Sequence, residues 1–156
     1  MIEMITIPTN RTVYASINAY SLLAHDVLSL LDSRLMTIYD EISDPSEAAL
    51  VHGFDNEADY FKYAMDQIDN IIYSEIGYGS DRYALVKLMF TSPTAYPVSL
   101  REQNGGIQID RNTCNTIYHM LEKNRMKSYF CYMHILDQMR RVVENKDVGL
   151  LINYVD

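Results

Sequence analysis

Residues 13–45 read VYASINAYSLLAHDVLSLLDSRLMTIYDEISDP. Within them Val13, Ile17, Tyr20, Ala24, Leu28, Leu31, Leu35, Ile38 and Ile42 are separated by 4, 3, 4, 4, 3, 4, 3 and 4 residues. The average step is that of an α-helix, so all nine share one side of it. The spacing predicts one continuous amphipathic helix, stopping near Ser43-Asp44-Pro45 because the residue before proline avoids helical geometry.

Upstream, Met1 to Ile7 is apolar and β-branched and ends at Pro8, which reads as a short strand. Downstream, Pro45 to Asn56 reads as a connection around Gly53. A second helix is expected from Glu57 to Ile76, with Ala58, Phe61, Met65, Ile68, Ile72 and Ile76 facing inward. Asp59, Lys62, Asp66, Asp69 and Tyr73 recur on its other side, and Gly77 and Gly79 close it. Asp81 to Thr91 reads as a helix capped by Ser80. Beyond the Pro93 to Pro97 loop, Val98, Leu100 and Glu102 alternate with Ser99 and Arg101. Ile107 and Ile109 do the same with Gln108 and Asp110, and Asn104-Gly105 between the two runs supplies the positive φ angles of a tight hairpin. Arg111 to Asn145 holds neither Gly nor Pro and reads as one very long helix, or two joined near Lys123-Asn124-Arg125. Leu150 to Val155 supplies a last strand.

These elements compose an α+β fold: a small antiparallel sheet from the two termini and the central hairpin, covered by three to five helices. Of the 156 residues, 48% are hydrophobic and 22% charged, which fits a single globular domain over 1–156 with one core. No apolar run reaches the roughly 18–20 residues of a membrane-spanning helix, and Glu3 stands where a secretory leader carries basic residues. The expected location is the cytoplasm. Two cysteines, Cys114 and Cys131, make no disulfide framework and read as reduced thiols.

Charge separates the halves. Residues 1–80 carry 13 acidic and 3 basic side chains, residues 81–156 carry 8 and 10, and the whole chain has a net charge of −8. That balance disfavours sequence-independent binding to nucleic-acid phosphate. Between Arg34 and Lys62 no basic residue occurs, yet Asp40, Glu41, Asp44, Glu47, Asp55, Glu57 and Asp59 do. If the end of the first long helix meets the start of the next, these seven carboxylates crowd one corner, extended by Asp66 and Asp69. Mutual repulsion there costs stability, as expected of a surface shaped for a cationic partner; the alternative is a solvated face that keeps the protein dispersed. One helix is a poor copy of nucleic acid. Asp59, Asp66 and Asp69 lie about 10 and 4.5 Å apart along a helix axis, against a charge every ~3.4 Å along a DNA strand. Only the combined corner approaches that density. Among 13 tyrosines, Tyr60 and Tyr63 flank this segment and suit the role of apolar anchors, since a phenol packs its ring and keeps its hydroxyl near water. Filling the core's edge is their alternative use.

The residues of the competing class are His119 with Glu122 and His134 with Asp137. At i and i+3 on a helix each carboxylate can orient its imidazole or share a metal. Cys114, His119, Cys131 and His134 have zinc-ligand types but not zinc-finger spacing. No phosphate loop, Gly-x-Ser-x-Gly or His-Glu-x-x-His occurs. Arg101, Arg111, Lys123, Arg125, Lys127, Arg140 and Arg141 outline a weaker basic surface.

The expectation is therefore a non-enzymatic, cofactor-free binding protein. It would dock its acidic corner on a basic surface of a partner, such as the channel of a nuclease or another nucleic-acid-binding protein, without contacting nucleic acid or membrane itself. In size and acidity the chain is similar to small acidic antagonists as a class, such as antirestriction, anti-CRISPR and toxin-immunity proteins. The alternative is a small metal-dependent enzyme built on the two histidine–carboxylate pairs, and a third reading is self-association through the long helices into a homo-oligomer.

Overall fold

The computed structural model describes residues 1–90 and 106–155. Strands β1 (Ile2–Ile7), β2 (Thr12–Ala15), β3 (Ile107–Asp110) and β4 (Gly149–Tyr154) form one antiparallel sheet in the order β2-β1-β4-β3. The two terminal segments pair directly, from Ile2 opposite Tyr154 to Ile7 opposite Gly149. Alternation along β1 buries Ile2, Met4 and Thr6, as a strand with one face on a core requires. The α+β architecture with termini in a small antiparallel sheet is as the sequence indicates. The expected hairpin arm at Val98 to Glu102 lies outside the described residues, as does its Asn104-Gly105 turn; its other arm is β3.

The described residues contain seven α-helices, more than the three to five expected. They are α1 (Ile17–Leu31), α2 (Ser33–Ile42), α3 (Pro45–Val51), α4 (Glu57–Ile71), α5 (Asp81–Phe90), α6 (Arg111–Asn124) and α7 (Tyr129–Glu144). A π-helical turn, Ile72–Ile76, prolongs α4 as far as Gly77. Two corrections concern the stripe from Val13 to Ile42. Its first residues are not helical: Thr12–Ala15 pairs with β1, and the helix begins only after Ser16, whose hydroxyl accepts from the Ala19 N–H at 3.0 Å. Nor is the helix continuous. Asp32 is extended; its N–H donates to the Leu28 carbonyl at 2.9 Å, closing α1, while its carboxylate accepts from the Arg34 N–H at 2.9 Å, capping α2. The core nevertheless receives Tyr20, Ala24, Leu28, Leu31, Leu35 and Ile42 from this stripe.

The inner face of α4 also differs from expectation. Ile68, Ile72 and Ile76 are buried and Phe61 packs against the core as expected, but Tyr60, Ala64 and Ile71 are buried as well, while Ala58 and Met65 are exposed. Asn56 caps α4 through the Asp59 N–H and Ser80 caps α5 through the Tyr83 N–H. The region from Arg111 to Asn145 is two helices. Arg125, at φ 24°, ends α6 by donating its N–H to the Leu121 carbonyl.

The buried apolar residues form one cluster, to which β1, β4, α1, α6 and α7 all contribute. Helix α7 is tied to the sheet by Gln138, whose amide donates to the Met4 and Arg11 carbonyls at 3.0 and 2.8 Å. Helices α2, α3 and α4 pack on one another and join the rest through α1 and α5. Asp40, Glu41, Asp44, Glu47, Asp55, Glu57, Asp59, Asp66 and Asp69 all lie in these helices and the segments that join them.

Candidate functional site

Asp40, Glu41, Asp44 and Glu47 line one cleft of about 270 Å³ with Ala48, Val51 and His52, between the end of α2 and helix α3. Glu57 is joined to this group by the Ser46 hydroxyl, which donates to its carboxylate from the first turn of α3. Asp55 and Asp59 are exposed at the start of α4 and do not line the cleft. Four of the seven expected carboxylates thus share a cleft, a fifth adjoins it and two flank it.

Several of these positions have a structural reason of their own. Asp44 caps α3, with Pro45 at the first helical position, and Glu47 lies in its first turn; Glu57 and Asp59 lie in the first turn of α4. A negative charge is favoured there by the partial positive charge of a helix N-terminus. Asp40 and Glu41 are different. They sit in the last turn of α2, where the helix dipole disfavours a carboxylate and no basic residue compensates.

Each of these carboxylates lies against a histidine, and neither histidine was singled out by the sequence reading. The His25 ring bridges Asp40 and Asp26, each carboxylate oxygen being 3.2 Å from a ring nitrogen. Asp26 is only 3% exposed and accepts the Tyr132 hydroxyl at 2.6 Å. The second histidine, His52, places Nε2 3.0 Å from Glu41 Oε2, and the same oxygen accepts the Tyr60 hydroxyl at 3.1 Å. Burial first, and then this bond to Glu41, push the Tyr60 phenol well above its ordinary pKa, so it stays a protonated donor. No Lys or Arg among the described residues forms an ion pair with any of the seven carboxylates.

The anchors need correction. Tyr60 has no exposed surface, so its ring belongs to the core and cannot be offered to a partner. Tyr63 keeps about a third of its surface exposed and packs at 5.3 Å from both His52 and Phe54. The apolar side chains presented at this corner are Leu50 and Val51, 79% and 74% exposed at the end of α3. Adjacent aliphatic residues in a segment read as a connection gave no periodic signal, and only the helix around them shows that both point outward.

The histidine–carboxylate pairs expected on α6 and α7 are not formed. Glu122 is taken by the Tyr129 hydroxyl and the Arg125 guanidinium, which together hold its carboxyl below the usual range. Asp137 is taken by Arg140 and Arg141. His119 and His134 are exposed, as is Cys131, whereas Cys114 is buried and its thiol is pushed up to about 12, chiefly by that burial. Among the described residues no three His, Cys, Asp or Glu side chains converge as a metal site would need, and no helix is long and apolar enough to cross a membrane.

No family model, curated protein or solved structure matches the chain.

Proposed function

We propose that this is a non-enzymatic cytoplasmic binding protein that docks the α2–α3–α4 corner on a basic surface of a partner protein. Of the partners with such surfaces, a nuclease or other nucleic-acid-binding enzyme fits best, and occupying its channel would inhibit it. The observation that carries this reading is the pair Leu50 and Val51, exposed beside a cleft whose four carboxylates lack any Lys or Arg partner among the described residues. An apolar centre with a charged, solvated rim is the usual anatomy of a protein interface. The charges steer encounter and select a positive partner, and the aliphatic pair is desolvated on contact. Asp40 and Glu41 lend further support, because the dipole at the C-terminal end of α2 disfavours a carboxylate there.

The test is affinity capture from lysate of the encoding organism with three baits: wild type, Leu50→Ser/Val51→Ser, and Asp40→Lys/Asp44→Lys/Glu47→Lys. Wild type is expected to retain a nucleic-acid-binding protein that is released by raised salt and competed off by duplex DNA. Both variants should lose it while remaining folded by circular dichroism, the serine pair at the wild-type melting temperature and the lysine triple a few degrees lower for want of the Asp44 cap on α3. Equal retention of the same proteins by all three baits would refute the reading.

A further inference from the structure

A second cleft, of about 330 Å³, runs between α2 and α4 and shares Glu41 and His52 with the first. Its α2 side includes Arg34 and Thr37, and its α4 side includes Tyr63, Gln67 and Asn70. We propose that this cleft receives a guanidinium group, the side chain of an arginine on the partner's basic surface. The inference rests on the proposed function and specifies what part of the partner is gripped.

Glu41 is the reason. Its Oε2 already accepts two hydrogen bonds, from Tyr60 and His52, which orient the carboxylate and leave Oε1 without a partner among the described residues. A carboxylate fixed in this way, half-buried at the disfavoured end of its helix, is stabilised most by a cation brought from outside. The cleft also restricts where that cation sits. Arg34, seven residues and so about 10 Å along α2, is held by Asp32 at 2.8 Å and repels a second positive charge from its own end. The incoming group settles at the Glu41 end, against the rings of Tyr63 and His52, which lie 5.3 Å apart.

The surroundings favour guanidinium over ammonium. A planar cation stacks on an aromatic face and carries five donors, against three on a compact ammonium. The cleft has acceptors to use them: Glu41 Oε1, and the side-chain amides of Gln67 and Asn70, which make no hydrogen bond among the described residues. Gln67 is half-buried, so its amide gains most from a ligand donor.

The probes are Nα-acetyl-arginine amide, its lysine counterpart and the neutral isostere Nα-acetyl-citrulline amide, titrated at low salt against the full chain and followed by two-dimensional amide NMR. The arginine probe is expected to shift resonances around Glu41, His52, Tyr63 and Gln67 and to bind at least about tenfold more tightly than citrulline. Glu41→Gln, which keeps an acceptor for Tyr60, and Gln67→Ala, outside that network, should each weaken the arginine probe several-fold while the melting temperature holds. Equal binding of citrulline, equal binding of lysine, shifts outside this cleft, or no effect of both variants would each overturn the assignment. The two proposals fail separately. Asp44→Lys/Glu47→Lys is expected to reduce partner capture and leave the arginine probe bound. Retained capture by Glu41→Gln, with probe binding lost, would overturn the arginine grip and spare the docking corner.

Discussion

Replacing Tyr132 with Phe removes one oxygen atom from a buried polar contact between α7 and α1. The Tyr132 ring has no exposed surface, its hydroxyl donates to Asp26 at 2.6 Å, and Asp26 is itself nearly inaccessible. Burial first, and then the Asp26 carboxyl, raise the phenol far above its ordinary pKa, so it remains a donor at neutral pH. The substitution leaves packing almost unchanged, and its cost is electrostatic. A buried hydrogen bond to a charged acceptor contributes about 1.5–3 kcal/mol, and water cannot replace the lost donor at so closed a position. For a chain of this length each kcal/mol moves the melting temperature by about 2–4 °C, so a fall of about 3–12 °C is expected. Urea unfolding followed by circular dichroism gives the free energy, and Tyr73→Phe, on an exposed ring, should change it by less than about 0.5 kcal/mol. A cycle with Asp26→Asn should show coupling between the two sites above that same level. A Tyr132→Phe protein within about 0.5 kcal/mol of wild type, or strict additivity in the cycle, would refute the reasoning.

Gly149→Ala is expected to cost about 1–3 kcal/mol in the same assay, because the added methyl would lie 2.4 Å from the Ile109 carbonyl oxygen where β4 meets β3; an unchanged midpoint would show that the strands separate freely. Asp137 is held below the ordinary carboxylate pKa, first by its bond from Arg140 and then by Arg141. Its folded form therefore binds a proton less readily than the unfolded chain, so its contribution is complete above about pH 4 and disappears as pH falls through the lowered native value. Asp137→Asn should accordingly be less stable by roughly 0.5 kcal/mol at pH 7, a small figure because the pair is partly solvated. The two proteins should converge near pH 2 on urea titration, and a difference that persists there contradicts the account.

Apolar periodicity carried most of the architecture. The stripe through Leu28, Leu31 and Leu35 correctly names side chains that share a core, and it passes over the break at Asp32 because the two helices present the same face to that core. Periodicity records which way residues face, whereas a chain break depends on a single backbone torsion and a side-chain cap. The same blindness at the other end assigned Val13 to a helix, though a half-buried strand residue four positions before Ile17 fits the spacing equally well. On α4, Phe61 is more apolar than Tyr60, and a hydrophobicity count prefers it. The core takes Tyr60 because Glu41 lies where its hydroxyl can reach, a contact across 19 residues of sequence. For the candidate site, the crowding of acids between Arg34 and Lys62 was legible directly. The partnerships of His25 and His52 were not, since they join residues 15 and 11 positions apart on different helices, a separation with no period. Glu122 and Asp137 show the opposite error: local spacing allowed a histidine partner, and nearby arginines, with charge to offer, took the carboxylates instead.

The pairing of β1 with β4 has a consequence for how the molecule is made. Residues 2–7 leave the ribosome well before residues 149–154, yet they are neighbours in the finished sheet. At ordinary elongation rates β1 waits about 7–30 s for its partner, with β2 on one flank and unpaired amides on the other. During synthesis that bare flank is the part of the nascent chain most open to pairing with a foreign strand.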